Sequence, residues 1–276
     1  MTSILNVPEE SPEDPVLPRL SKASDYFKDK LLSFQEYVYL VGRALANVFT
    51  PPFYVSDLLS QMDLIGVGSV PIVTLTGFFI GVVMVLQTSS QFERFGETAL
   101  TGDAVALALV RELGPVIAAL LVTGRNGSAI ASELGSMVVT EQIDAMRALG
   151  TDPIRKLVTP RVVASILMLP LLTAVSDFVG LVGGFIVAHF TLQLGAVQFW
   201  SRAIDALAFG DLVQGLVKPL FYGLILSTVA CYQGLNVRGG TQGVGRATTS
   251  ATVIASVSII MSDAVISRLL LFIFSK

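Results

Sequence analysis

Charged residues are scarce in this chain, and their scarcity excludes an ordinary soluble fold. Asp, Glu, Lys and Arg make up only 14% of the 276 residues. Soluble globular domains carry roughly 25%. Hydrophobic residues account for 53% of the chain, and the mean hydropathy is +0.72. So few charged side chains cannot cover a soluble protein of this length, so the lipid bilayer must be the solvent for much of its surface.

Cysteine and histidine are almost absent, which argues against several kinds of chemistry. The chain has one cysteine, Cys231, and one histidine, His189. A single cysteine excludes an internal disulfide and any multi-cysteine metal site. The two residues lie in separate spans and supply no nucleophile–base pair, so a lipid-modifying enzyme is disfavoured. The 18 basic residues are scattered and the net charge is −3, so we expect no nucleic-acid partner.

The N-terminal region divides into a tail and a helix. Residues 1–24 are polar, acidic and proline-rich, which predicts a disordered tail. In residues 25–50 apolar side chains recur alternately four and three positions apart, with charges on the other faces, until Pro51-Pro52. This pattern favours a helix lying in the membrane interface, although a soluble amphipathic helix packed on a core has the same periodicity. Residues 51–276 then form the membrane domain.

Five apolar stretches reach the length of about 20 residues that a membrane-spanning helix needs. The sequence therefore predicts an all-α integral membrane protein: one interfacial helix, five transmembrane helices, and a short cytoplasmic helix between the second and third spans. The predicted spans are 64–88, 104–124, 162–192, 213–235 and 250–274.

Basic residues in the connections predict the orientation. The 125–161 connection contains five basic residues, and the 236–246 loop and the N-terminal region add more. The other side is assigned Arg94, Arg202 and Lys218. Because the basic side faces the cytoplasm, the N-terminus should be cytoplasmic and the C-terminus, after five spans, periplasmic.

Ionisable residues within spans are costly and usually meet a partner or a polar cavity. Four need explanation here: Arg111, Glu112, Asp177 and Asp263. At the helical rise of about 1.5 Å per residue, all four fall in the outer half of the bilayer. Adjacent residues Arg111 and Glu112 point in different directions, so Asp177 or Asp263 should pair with Arg111 and leave Glu112 facing a cavity. One closed structural network of all four is the alternative.

Small residues at helical spacing predict seams of close helix contact. They are Gly124, Gly127, Ser128, Ala131, Ser132 and Gly135 in one group, and Gly180, Gly183 and Gly184 in the other. A third glycine-rich stretch, residues 239–245, resembles a phosphate-binding loop only superficially. It continues with Arg246-Ala247 instead of Lys and Ser or Thr, so we expect no nucleotide site.

A short helix is predicted between the second and third spans. Thr140 is placed as its N-cap, Gly150 as its end, and Asp152-Pro153 as the start of the next helix. Val139, Ile143, Met146 and Leu149 form its apolar edge. Such a helix either rests on the membrane or docks on a cytoplasmic partner.

Several ordered motifs in this chain resemble the MlaE/YrbE permease family. They are Arg-Glu-Leu-Gly-Pro at 111–115, Gly-Arg-Asn-Gly-Ser-Ala at 124–129, Glu-Leu-Gly-Ser-Met at 133–137, Thr-Glu-Gln-Ile-Asp-Ala at 140–145, Asp152-Pro153 and Pro160-Arg161. The resemblance covers about residues 25–276. Asn126 departs from the family pattern, which usually has Val or Ala there, and the tail before residue 25 has no counterpart.

The resemblance implies a homodimeric inner-membrane permease that moves phospholipids or related lipids to a periplasmic ring of MCE-domain proteins. A cytoplasmic ATPase pair would bind the ATP and Mg²⁺, so this chain itself would hold no cofactor or metal, and a STAS-domain subunit often joins such complexes. The resemblance places lipid contacts at Met84, Gln91, Phe92, Phe95, Arg111, Glu112 and Leu113. It places the ATPase-coupling contacts at Thr140, Glu141, Gln142, Ile143, Asp144, Met146 and Arg147.

One alternative function is an ion-coupled secondary transporter of a small amphiphile, with Asp177 and Asp263 as coupling residues. Such transporters usually contain an inverted repeat. The sequence has no visible repeat, which favours the ATP-driven permease.

Overall fold

The computed structural model describes residues 17–274, and it divides the chain into two units at Tyr39 and Leu40. Helix α1, Leu17–Ala46, crosses that division and begins eight residues before the predicted start. The rest of the predicted tail, residues 1–16, lies outside the described residues. Leu31, Phe34 and Val38, which belong to the predicted apolar stripe, are 50–66% exposed. An exposed apolar stripe suits a helix at a membrane surface better than one packed on a core.

The described part of the second unit, from Leu40, consists of helices joined by turns and loops. After α1 come α2 (Val55–Ile65), α3 (Val70–Glu93), α4 (Thr101–Ala108), α5 (Gly114–Val122), α6 (Ser128–Val139), α7 (Gln142–Ala148), α8 (Thr159–Leu192), α9 (Ala196–Asp205), α10 (Phe209–Leu235) and α11 (Gly240–Phe274). Short π-helical turns at Leu109–Leu113, Thr123–Gly127 and Ile154–Val158 interrupt or precede the long helices.

Five segments are long and apolar enough to cross a membrane, which confirms the predicted number. They run Val55–Glu93, Thr101–Val139, Ile154–Leu192, Phe209–Leu235 and Gly240–Phe272, and each begins before its predicted start. The difference arises because polar first and last turns continue the helices beyond the apolar stretches. The early start of α10 places Asp211 inside the fourth span, in addition to Lys218, which the predicted span 213–235 already contains.

A glycine seam joins α3 to α8. Gly77 and Gly81 on α3 face Ser176 and Gly180 on α8 so closely that an added Cβ at either glycine would meet backbone atoms. A Cβ on Gly180 would lie 3.1 Å from the carbonyl oxygen of Gly77. Lipid provides no hydrophobic drive for helix association, so such close backbone contact stabilises the pair through van der Waals packing. This confirms the predicted seam at residues 180–184.

The second predicted seam is only partly correct. Gly127 packs against Leu226, and Gly135 packs against Val237 and Val244. Gly124, in contrast, is exposed and would have no atom within 4 Å of an added Cβ. The π-helical turn at 123–127 adds a residue to the helix, which rotates Gly124 away from the face that Gly127 occupies.

Candidate functional site

A π-helical turn, Leu109–Leu113, lies in the first half of the second span, between α4 and α5. Pro115 follows it and has no backbone N–H, so the carbonyl oxygen of Arg111 loses its usual helical donor. The ammonium group of Lys218 donates a hydrogen bond to that oxygen at 2.8 Å. Single π-helical turns within α-helices occur frequently at functional sites.

Lys218 is fully buried on α10, and its partners are all oxygens. Besides the Arg111 carbonyl, it donates to Glu112 Oε2 at 2.6 Å and lies 3.4 Å from Asp263 Oδ1. Burial of an unpaired ammonium group would be very costly, and these partners offset that cost. The contacts connect the second, fourth and fifth spans at one point.

Two hydroxyl groups complete this arrangement, which we call the Lys218 cluster: Glu112, Lys218, Tyr222, Asp263 and Ser267. The Tyr222 hydroxyl donates to Asp263 Oδ1 at 2.6 Å. The Ser267 hydroxyl lies 3.2 Å from Glu112 Oε2 and 3.3 Å from Asp263 Oδ1. With both carboxylates and the ammonium ionised, the cluster carries one net negative charge. The side chain of Glu112 is 42% exposed while Lys218 is 0% exposed, so the cluster reaches the protein surface at Glu112.

Arg111 has an acidic partner, but not one of those predicted. Its Nε atom lies 3.4 Å from Asp211 Oδ1, in the first turn of α10. Asp211 also accepts a hydrogen bond from the backbone N–H of Ala208 through Oδ2 at 3.0 Å, which fixes its orientation. The prediction that Asp177 or Asp263 pairs with Arg111 is therefore wrong, because Asp263 belongs to the Lys218 cluster and Asp177 packs elsewhere.

Asp177 is buried on α8 against the backbone of Gly114. Its Oδ1 atom has no hydrogen-bond partner among the described residues. A Cβ at residue 114 would collide with this carboxyl group, so glycine is required in the Arg-Glu-Leu-Gly-Pro motif for packing. Neither predicted arrangement of the four charges is correct: Glu112 and Asp263 share Lys218, while Arg111 and Asp177 lie outside that cluster.

The predicted lipid-contact residues fall into two groups. Met84 and Leu113 pack on the same apolar cluster, formed by residues such as Val85, Val105 and Leu109, and Glu112 adjoins Leu113. The second group lies at the end of α3 and the turn beyond it, where Gln91 and Phe95 are exposed and Phe92 is partly buried. The Phe95 side chain is 80% exposed. The role of both groups as lipid contacts stays a prediction.

The segment between the second and third spans contains the expected short helix, α7, with one difference. The Thr140 hydroxyl donates to the carbonyl oxygen of Ser136 at 2.9 Å, so Thr140 ends α6 instead of capping α7. Glu141 takes the left-handed conformation, with φ of 59°, and forms the turn between them. The prediction of a Thr140 N-cap is wrong because threonine can bond back to the preceding helical turn.

The rest of the α7 segment agrees with expectation. Gly150 has a φ of 75° and follows the helix end, and the Asp152 carboxylate accepts a hydrogen bond from the Ile154 N–H at 3.1 Å. Ile143 is buried and Met146 is partly buried. The polar side chains are exposed: Glu141, Gln142, Asp144 and Arg147. Arg147 Nη1 lies 3.1 Å from Asp144 Oδ1.

Arg125 and Asn126 bind the chain at the break between α2 and α3, a role that the sequence did not predict. Arg125 Nη1 donates to the Leu64 carbonyl at 3.2 Å and to Ser69 Oγ at 2.9 Å. Asn126 Nδ2 donates to the same Ser69 oxygen at 2.8 Å. The amide at 126, where the resemblance leads one to expect Val or Ala, thus satisfies polar groups that the helix break exposes. The departure of Asn126 from the family pattern was the signal that the sequence offered.

Comparison with known proteins identifies the family. Residues 58–269 match the model for the permease MlaE family. A probable ABC transporter permease protein of Rickettsia typhi is 42% identical over 82% of this chain and 88% of its own length. One from Synechocystis sp. is 37% identical over 87% of this chain and 92% of its own.

A plant protein is also similar. The chloroplastic protein TRIGALACTOSYLDIACYLGLYCEROL 1 of Arabidopsis thaliana is 37% identical over 83% of this chain and 65% of its own length. The matched region contains the Arg-Glu-Leu-Gly-Pro motif and nearly all of the five spans. The chain therefore belongs to the MlaE permease family and is a multi-pass transport subunit.

Proposed function

We propose that this chain is the permease of an ABC transporter that moves phospholipids, or related lipids, between the inner membrane and a periplasmic ring of MCE-domain proteins. Support comes from the family and from the Arabidopsis relative, whose name is that of a diacylglycerol glycolipid. A lipid carrier must present polar groups within the bilayer, since headgroups cannot enter hydrocarbon without partners.

The observation that carries the proposal is the partly exposed Glu112 side chain of the Lys218 cluster. Glu112 lies within an apolar span, yet 42% of its side chain is exposed. A charge at that position costs at least about 2.5–3.5 kcal/mol if it faces hydrocarbon. A water-containing lipid cavity removes that cost. Met84 and Leu113 border it, Gln91, Phe92 and Phe95 extend it along α3, and the Arg111–Asp211 pair supports it.

The α7 segment supplies the second part of the proposal, which is contact with a cytoplasmic ATPase. Residues 140–147 expose acidic and basic side chains, and Leu149 beside them is 83% exposed. In this scheme a pair of ATPase subunits binds ATP and Mg²⁺ and drives a homodimer of this chain, with an MCE-domain hexamer outside and optionally a STAS-domain subunit. The protein would lie in a bacterial inner membrane, with its N-terminus cytoplasmic and its C-terminus periplasmic.

Transfer of labelled phospholipid from proteoliposomes that contain the whole complex tests this function. Glu112→Gln keeps the shape but removes the charge, so transfer should fall about tenfold or more while assembly is retained, as expected when one charged contact is lost. Asp205→Asn is the matched control, because Asp205 is an exposed carboxylate at the end of α9. Transfer at the wild-type rate by Glu112→Gln would contradict the proposed role.

A further inference from the structure

A polar cavity of about 180 Å³ lies between α2, α6 and the start of α8. Asp57, Glu133, Lys156 and Arg161 line it, together with Gln61. Asp57 is near the start of the first span, Glu133 near the end of the second and Arg161 near the start of the third. These are the ends that the proposed topology assigns to the cytoplasm, so the cavity lies at the depth of lipid headgroups.

The charges in this cavity are only partly paired. Arg161 is 3% exposed, lies 2.8 Å from Glu133 and donates to the Leu157 carbonyl, but its buried Nε atom lacks a partner. The Gln61 Oε1 atom is likewise buried without one. Within the described part of the chain, Asp57 and Lys156 form no ion pair. Buried polar groups are normally satisfied, so Arg161 Nε and Gln61 Oε1 indicate room for a polar ligand. Asp57 and Lys156, which are partly buried, offer that ligand one anionic and one cationic site.

An apolar cavity of about 160 Å³ adjoins the polar one. Pro160 lines both cavities. Lys156, from the polar cavity, also lies over the ring of Tyr54, which lines the apolar cavity, with Nζ 5.2 Å from the ring centre. Phe53 and Val163 form part of the apolar lining. A charged cavity beside an apolar one matches the polar headgroup and the apolar chain of an amphiphile.

We propose that these two cavities together hold one zwitterionic phospholipid of the cytoplasmic leaflet. Its ammonium group binds Asp57, its phosphate binds Lys156, and the start of an acyl chain lies against Phe53, Tyr54 and Val163. This site is separate from the Lys218 cluster and requires neither ATP nor lipid transfer. A lipid with no cationic group would leave Asp57 unpaired, so the site should prefer phosphatidylethanolamine over phosphatidylglycerol.

Native mass spectrometry of the purified full chain in detergent, equilibrated with equal amounts of the two lipids, tests the site. We expect wild-type protein to retain phosphatidylethanolamine selectively. Asp57→Asn should lower that retention by roughly tenfold and abolish the preference, because a charge-assisted hydrogen bond is lost. Lys156→Gln should lower retention of both lipids, and Lys156→Arg should restore it.

Controls separate this site from other lipid contacts and from the transport proposal. Asp205→Asn should keep both the retained lipid and its preference for phosphatidylethanolamine. The readout is headgroup selectivity in the absence of ATP, so transfer at the wild-type rate by Glu112→Gln would contradict the transport proposal and leave this test intact. Equal retention of both lipids by wild-type protein, or unchanged selectivity in Asp57→Asn, would overturn the proposal.

A second probe distinguishes a lipid from a soluble compound of the same headgroup chemistry. Glycerophosphoethanolamine has the charged groups without the acyl chains and should compete only weakly. Val163→Trp fills the apolar cavity and should release the lipid while the protein remains folded, as judged by its unfolding temperature. If glycerophosphoethanolamine binds as tightly as the lipid, or Val163→Trp retains the lipid, the assignment to a phospholipid is wrong.

Discussion

Lys218 forms more of the polar contacts between spans than any residue that the sequence pattern singled out. Its ammonium group is fully buried and meets Glu112, Asp263 and the Arg111 carbonyl. Pro115 is part of the reason, since it leaves that carbonyl without a helical donor. Pro115 thus leaves a free carbonyl in the π-helical turn, and Lys218 from another span binds that carbonyl.

Removal of this ammonium group should destabilise the fold. In Lys218→Met the Glu112 and Asp263 carboxylates face each other without a cation. We expect a loss of about 3 kcal/mol, at the lower end of the range for removing one member of a buried pair, since Glu112 stays partly exposed. Thermal unfolding in detergent measures it. The double variant Lys218→Met/Asp263→Asn should recover part of the loss, and equal stability of wild type and Lys218→Met would contradict the assignment.

At the scale of helices, α7 is where the proposed coupling can be tested. Glu141→Lys combined with Asp144→Lys reverses the charge of its exposed face without touching the buried Ile143. We expect at least about tenfold weaker co-purification of the ATPase, as is typical when charges at an interface are reversed. Membrane insertion should be normal.

The matched control for α7 is Glu97→Lys combined with Asp205→Lys, which reverses two exposed carboxylates near the opposite ends of the spans. This control should keep the ATPase bound. Unchanged ATPase binding and lipid-stimulated ATP turnover in the α7 variant would exclude its proposed role.

The elements show what could and could not be predicted from the sequence. Hydropathy specified the five spans, because a bilayer requires long apolar helices, and glycine spacing predicted the seam at residues 180–184 but not its partner helix α3. The partner of Arg111 could not be predicted, because the π-helical turn at 109–113 changes which way its residues point. Lys218 was assigned to the outer connections although the predicted span 213–235 contains it. Its charge alone does not reveal that Glu112, Asp263 and the Arg111 carbonyl supply three oxygen partners from two other spans. Thr140 was misread because its hydroxyl can cap the next helix or bond back to the previous one.

At the scale of the whole molecule, orientation is the first open prediction. Basic residues in the connection after the second span place the N-terminus in the cytoplasm, and five spans place the C-terminus outside. Reporter fusions after Lys276 and within residues 140–150 should therefore report opposite sides of the membrane. Fusions that report the same side would require a different span number or orientation.

The energy source for transport tests the central claim most directly. Proteoliposomes that contain this chain and its ATPase should transfer labelled phospholipid to acceptor particles on addition of ATP and Mg²⁺, with no ion gradient present. Without ATP, an imposed proton or sodium gradient should leave transfer at the background rate. The reverse result, transfer driven by an ion gradient and unaffected by ATP, would contradict the account and favour an ion-coupled transporter.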